Sequence, residues 1–241
     1  MENNQLNITA SGKNLDFRTG DLPNIPSPKK DSCNGVITAP GDYFFRKYQQ
    51  MESAMYPYDG MLVTYSMSEG AIIFNENTAT DIGGLTIAGV LKTESNLKSL
   101  GINTNKAYSP SELSEKLKML RVLFGDKAQW TSIVTNLKNF TAEATTSIAK
   151  ENDDKGNKKD NLVQSLKASF DLSFTLNAAV FEGFYDKESF KVEILVQVRS
   201  SALEMYLQSV ELKEIMDGAT ISIINKELDK FDNLVPVIQL S

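Results

Sequence analysis

The sequence predicts an α+β fold: antiparallel sheets built from hairpins and a meander, packed with a central helix pair and a C-terminal helix. Three observations point there. After residue 161 apolar residues alternate at period two in three successive runs. A capped pattern of helical spacing precedes them. Strands and helices are segregated rather than interleaved as βαβ units, which removes the expectation of a nucleotide-binding crevice.

Taken in order, residues 1–34 read as an extended polar arm. Pro23, Pro26 and Pro28 near its end have no backbone N–H to donate and favour extended conformations. Residues 35–241 read as one α+β domain. "APGDYFFRKYQQM" predicts a short amphipathic helix with Phe44, Phe45 and Tyr48 on one face. "MLVTYSMSEGAIIFNE" predicts a hairpin whose loop, Ser68-Glu69-Gly70, supplies glycine where positive φ is needed. "LTIAGVLK", residues 85–92, predicts a third strand after the turn-forming Gly83-Gly84.

The helix pair covers about 109–150. Ser109 is an N-cap, Pro110 takes the first helical position and Glu112 completes a capping box. Leu113, Leu117, Leu120 and Phe124 follow at helical spacing, and Gly125 is the expected stop. The second helix starts near Asp126, with Trp130, Val134, Leu137, Thr141, Ala144 and Ile148 in one stripe. The meander spans about 168–210. Its runs are Phe170, Leu172, Phe174, Leu176; then Phe190, Val192, Ile194, Val196, Val198; then Leu203, Met205, Leu207. A helix over about 211–231 follows, and "NLVPVIQL" closes the chain as a strand that Pro236 assigns to a sheet edge.

Composition narrows the chemistry. Hydrophobic residues are 41% and charged ones 23%, as in ordinary globular proteins. The net charge of −6 disfavours nonspecific nucleic-acid binding, which depends on Lys and Arg neutralising phosphates. There is no histidine, and Cys33 is the single cysteine. Ser-His-Asp and Cys-His catalysis, a Cys/His zinc site and an intrachain disulfide are therefore excluded within this sequence. "MENNQLNITASGKNLD" shows neither the basic nor the apolar region of a secretory signal, and "GGLTIAGVL" is too short to span a bilayer. The chain reads as soluble and cytosolic, and the sequons at Asn7 and Asn139 read as chance matches.

The most site-like stretch is "KENDDKGNKKDN", residues 150–161. As an EF-hand with Gly156 at the sixth position it puts Lys155 in a ligand slot and Leu162 where a bidentate Glu is required. As a P-loop it lacks the second glycine and the preceding strand. Its lysines are balanced by Glu151, Asp153, Asp154 and Asp160, so it reads as a solvated turn joining helix to meander. Lys150, Lys155, Lys158 and Lys159, with Arg46 and Lys47, remain the candidates for phosphate or nucleic-acid contact. Tyr43 to Tyr48, Phe170 and Phe174 have the chemistry to stack bases, but their spacing favours a core role. Among Glu193, Glu204 and Glu211 nothing picks out an acid–base pair. No catalytic residue, metal or cofactor is assigned.

Several stretches, "NIPSPKKDSCNGVITAPGDYFFRKY", "YSPSELSEKLKMLRVLFGDK", "NLKNFTAE", "DDKGNKKDNLVQ" and "FTLNAAVFEGFYDKESFKVEI", together resemble a family of uncharacterised proteins, a domain of unknown function, from tailed phages and prophages of Bacteroidetes-type hosts. The resemblance runs in order over most of residues 20–240. It implies a gene among early phage functions near recombination and DNA metabolism, and it carries no catalytic residues. The expectation is a non-enzymatic phage accessory protein in the host cytoplasm, acting as a homo-oligomer through phage or host protein, or nucleic acid, and not through a membrane. The alternatives are a binder of a small nucleotide-type ligand serving counter-defence, a virion component, and a metal-dependent carboxylate enzyme.

Overall fold

The computed structural model describes residues 7–10, 13–16, 30–48, 60–78, 84–150, 156–199, 202–231 and 234–240. The fold is α+β, with two principal sheets and two hydrophobic cores. The prolines Pro23, Pro26 and Pro28 of the predicted arm lie outside the described residues. Within that arm β1 (Asn7–Ala10) pairs antiparallel with β2 (Lys13–Asp16). The boundary at residue 34 falls inside β3 (Asp31–Val36), which belongs to a sheet.

That sheet has the order β10-β4-β5-β6-β3, where β4 is Leu62–Ser66, β5 Ala71–Asn75, β6 Leu85–Val90 and β10 Val237–Gln239. The hairpin and third strand stand where the sequence places them, with Gly70 at φ 60° in the turn. The pairing is not all antiparallel, however. β3 runs parallel to β6, and β10 runs parallel to β4. The helix α1 (Ala39–Tyr48) leads from β3 towards β4, so a crossover exists that the sequence reading did not expect. No local pattern signals it, because the two strands it connects are separated in the sheet by β5 and β6.

The start of α1 lies directly on the sheet. A Cβ on Gly89 would sit 2.7 Å from both Val36 O and Pro40 Cδ, so only glycine allows the approach. Phe44 and Tyr48 turn inward as an i, i+4 pair, whereas Phe45, one position round the helix, is 48% exposed and not on their face as expected. Phe44, Phe74 and Phe231 meet with ring centroids 5.0–5.8 Å apart and centre this smaller core.

The larger core belongs to the three-stranded meander β7-β8-β9, where β7 is Ser173–Ala179, β8 Lys187–Arg199 and β9 Ala202–Gln208. The alternation is as read: Phe174, Leu176, Phe190, Val192, Ile194, Val196, Leu203, Met205 and Leu207 are all buried. Phe170 precedes β7 and is only half-buried, packing edge-on to Phe140.

Helices cover the apolar face. The short α2 (Ser95–Leu100), absent from the sequence reading, is capped by the Glu94 carboxylate and ends at Gly101 in the left-handed region. In α3 (Pro110–Met119) the predicted capping box forms, Ser109 N donating to Glu112 Oε2 at 2.8 Å. The helix stops at Met119 rather than at Gly125. The tighter 3-10 turn Arg121–Leu123 then brings Leu120, Leu123 and Phe124 all inward.

In α4 (Lys127–Lys150) the buried seam is Ile133, Leu137, Phe140, Ala144 and Ile148. Of the expected stripe, Leu137, Ala144 and Ile148 lie in this seam, whereas Trp130, Val134 and Thr141 flank it, half-buried. Of residues 150–161, expected as a solvated turn, 151–155 lie outside the described residues, and the rest require a correction. Residues 156–161 open the helix α5 (Gly156–Lys167), which buries Val163 and donates from Gln164 Nε2 to Val196 O at 2.7 Å. Its polar first turns hid the helical period.

The last helix, α6 (Val210–Leu228), joins the two cores. Leu212 lies in the larger, Ile224 in the smaller, and Ile223 packs against both. The five-stranded unit is thus assembled from residues 30–91 and 224–240, with the meander unit inserted between them.

Candidate functional site

The predicted cations that are described lie on different elements. Arg46 and Lys47 lie on α1, in the five-stranded unit. Lys150 ends α4, and Lys158 and Lys159 lie in the first turns of α5, in the meander unit. Lys155 falls outside the described residues.

Lys47 is committed to an internal cluster. Its Nζ donates to Tyr43 Oη at 2.9 Å and to Glu76 Oε1, which also accepts from the hydroxyls of Tyr43 and Tyr48. Glu76 Oε2 accepts from Leu85 N at 3.1 Å. Partial burial works against the charge on Glu76, but Lys47, Tyr48 and the Leu85 N–H outweigh it and hold the carboxyl below its ordinary range. Burial also opposes the Lys47 ammonium, and the bonds to Glu76 and Tyr43 overcome this and raise its pKa. Burial and the Glu76 hydrogen bond push the Tyr48 phenol up. An ammonium, a neutral phenol and a carboxylate therefore satisfy one another, and none of them titrates near neutrality. The cluster pins α1 to β5 and β6. Arg46 stays exposed beside it.

A second tie uses Lys230, whose Nζ lies 2.8 Å from Asp42 Oδ1 and 2.7 Å from Glu227 Oε2. Glu227 is buried, and the pair fastens the end of α6 to the start of α1. Glu193 and Glu211 both meet Lys191, whereas the half-buried Glu204 meets Tyr206 and Arg199. Glu193 pairs with Lys191, Glu204 accepts from Tyr206 Oη at 2.7 Å, and Glu211 accepts from Lys191 N at 2.7 Å. Among the described residues no group of three or more acidic, Cys or His side chains is placed to hold a metal ion. Of the proposed base-stacking residues, Phe174 is buried against Phe124.

An open groove of about 1050 Å³ lies over β8 and β9. Leu195 and Tyr206 form part of its floor, with Asn103, Arg199, Lys213 and Asp217 around it. Asn103 holds φ 60° because its main chain and side chain both pair with the β9–α6 junction. Asn103 N donates to Leu207 O at 2.9 Å, Nδ2 to Ser209 O at 2.7 Å, and Oδ1 accepts from Ser209 N at 2.8 Å.

Those bonds belong to a wider pattern of capped edges. Tyr108 exchanges two backbone bonds of 2.9 Å with Met205, so residues 103 and 108 cover Met205 and Leu207 O on the free side of β9. On the other side the Gln129 amide bridges Thr175, its nitrogen donating to Thr175 O and its oxygen accepting from Thr175 N, each at 3.1 Å. Ahead of β7, Leu172 O continues the ladder by accepting from Ile194 N, and Gln164 covers Val196 O.

The five-stranded sheet differs. Its outer strands, β3 and β10, have their far sides unpaired among the named strands. In β10, Pro236 O accepts from Val63 N and Leu240 N donates to Tyr65 O. A parallel ladder in this register turns the N–H and C=O of Val237 and Gln239 to the open side. Leu234, Val237, Ile238 and Leu240 are 41–50% exposed, and "LVPVIQL" contains no charge. Its lack of charge and its Pro236 were visible in the sequence; that it lies alongside β4 was not, because the contact spans most of the chain. In comparisons with family models, with curated proteins and with solved structures, nothing matches this chain.

Proposed function

We propose that this chain is a phage-encoded accessory protein that works by contact, associating with itself and with a protein or nucleic-acid partner, rather than by turnover. The phage assignment rests on the sequence stretches quoted above. The contact reading rests on one structural observation, the contrast between capped and open edges. On the meander, side chains or a loop cover Thr175 of β7, Val196 O of β8, and Met205 and Leu207 O of β9, whereas among the described residues the outward backbone groups of β10 have no partner and stand between exposed aliphatic residues. An apolar, uncharged strand edge is a template for another chain, and soluble proteins normally blunt it. No helix among the described residues is long and apolar enough to cross a membrane. Light scattering coupled to size exclusion tests the proposal: concentration-dependent oligomers support it. A strict monomer that also ignores single- and double-stranded DNA would end it.

A second reading, a binder of a small nucleotide-type ligand, draws on the groove over Tyr206, where an aromatic ring, amides and the cations Arg199 and Lys213 stand together. A thermal-shift panel of nucleotides separates the two. Strong stabilisation at modest concentration favours the ligand reading. Proteomics of purified particles tests the virion alternative.

A further inference from the structure

We propose that β10 is the contact through which two copies of this chain pair, antiparallel about a twofold axis, merging two five-stranded sheets into one of ten strands. This names the partner and the register of the self-association proposed above, and rests on it. The free side of β10 is self-complementary. Val237 and Gln239 direct both backbone groups outward, while Pro236, which has no N–H to give, faces β4. Centring an antiparallel pair on Ile238 sets Val237 against the second copy's Gln239, and Gln239 against its Val237. Each couple exchanges two N–H···O bonds, and Ile238 meets its own copy in the closer, non-hydrogen-bonded position between them. No residue from Leu234 to Leu240 is charged, so identical edges approach without like-charge repulsion. The other open edge, β3, begins at Lys30-Asp31 and offers only Val36 as a large exposed aliphatic residue.

Short strands of this kind cover less than the about 1,200 Å² at the lower end of stable interfaces, so the pair dissociates in the micromolar range rather than below it. Sedimentation velocity of the full chain over ~1 to ~300 µM should show a monomer–dimer exchange. Ile238→Lys and Ile238→Glu, each placing like charges face to face, should weaken the dimer about tenfold or more. An equimolar mixture of the two variants should recover it. Ile238 is half exposed, so both variants should melt within a few degrees of the parent.

If the parent dimerises but neither variant changes it, the β10 contact is wrong and the self-association reading survives. If both variants break the dimer and the mixture fails to restore it, the twofold register is wrong. A parent that stays monomeric overturns the inference outright. Should either charged variant fold poorly, Ile238→Cys in a Cys33→Ser background gives an independent test, with a disulfide-linked dimer expected under mild oxidation and its absence counting against the pairing.

Discussion

Along β7 the Gln129 amide occupies both backbone groups of Thr175, and along β9 the 103–108 segment supplies a surrogate strand. Along β10 the matching positions, Val237 and Gln239, face outward between exposed aliphatic side chains. The two sheets also differ in how the chain builds them. The meander is contiguous over residues 173–208, whereas the five-stranded sheet draws its strands from residues 31–90 and from 237–239. A unit closed by the far end of the chain has its last strand at an edge, held by one neighbour. That is where sequence-distant assembly leaves a surface open, and where the local capping available to the meander is missing.

The strongest way to break this comparison is to ask whether the units are separable. Phe74→Ala removes the ring that touches Phe44, Tyr48 and Phe231, and should cost about 3–5 kcal/mol. Phe190→Ala in the meander should cost a similar amount. Leu91, Phe184 and Ile223 pack against both cores, and residues 92–94 bond to 180–182. Both variants should therefore unfold in urea in a single transition. Two transitions for Phe74→Ala, with meander amides still protected from exchange after the first, would show that the units fold apart.

The next effect sharpens the account of α1. Gly89→Ala drives a methyl group to 2.7 Å from Val36 O, a backbone atom that cannot rotate away. The expected loss is about 1–3 kcal/mol, read from the urea midpoint. A neutral result would mean that α1 can lift from the sheet at little cost, and the Glu76 cluster would then lose its role as a pin.

What was legible in the sequence follows the same division. The meander's buried face could be named residue by residue, because period-two alternation in consecutive strands needs no long-range information. The α3 cap was equally local, since Ser109, Pro110 and Glu112 are adjacent and interact with one another. The parallel partners of β3 and β10 could not be read, since each strand has its partner more than fifty residues away. The setting of Lys47 was hidden for a related reason. Lys47 looks like a free cation until Glu76, on another element, is placed beside it. In α4, Leu137, Ala144 and Ile148 are legible as seam residues, but Ile133 and Phe140 compete with their neighbours Val134 and Thr141 for the same stripe, and only the packing partner decides.

Acid titration probes the five-stranded unit more gently. Glu76 has its folded-state pKa below the ordinary value of 4.5, so the unfolded chain binds more protons as the pH falls through this range. The stability it contributes is complete above about pH 4.5 and is lost as the pH drops towards the folded pKa. Asp42, lowered chiefly by its hydrogen bond to Lys230, adds in the same direction. Glu76→Gln should flatten the acid limb of a stability-against-pH curve and destabilise the protein at pH 7. An unchanged acid limb would show that the cluster is not what links α1 to pH.

The smallest effect on stability bears most directly on the edges. Gln129→Ala uncovers Thr175 N and O at the side of β7, and water can replace most of what is lost, so the cost should be about 1 kcal/mol or less. Its consequence for association need not be small. If an open edge recruits a second chain, uncapping β7 creates one on the meander, and the variant should show a species beyond the parent dimer at high concentration. Thr175 offers a single pair of backbone groups between Ser173 and Asn177, both polar, whereas β10 offers two pairs among aliphatic residues. The new species should therefore be weaker than the β10 dimer and insensitive to Ile238→Lys. If Gln129→Ala associates no more than the parent, backbone exposure alone is insufficient, and the aliphatic side chains around β10 carry the contact.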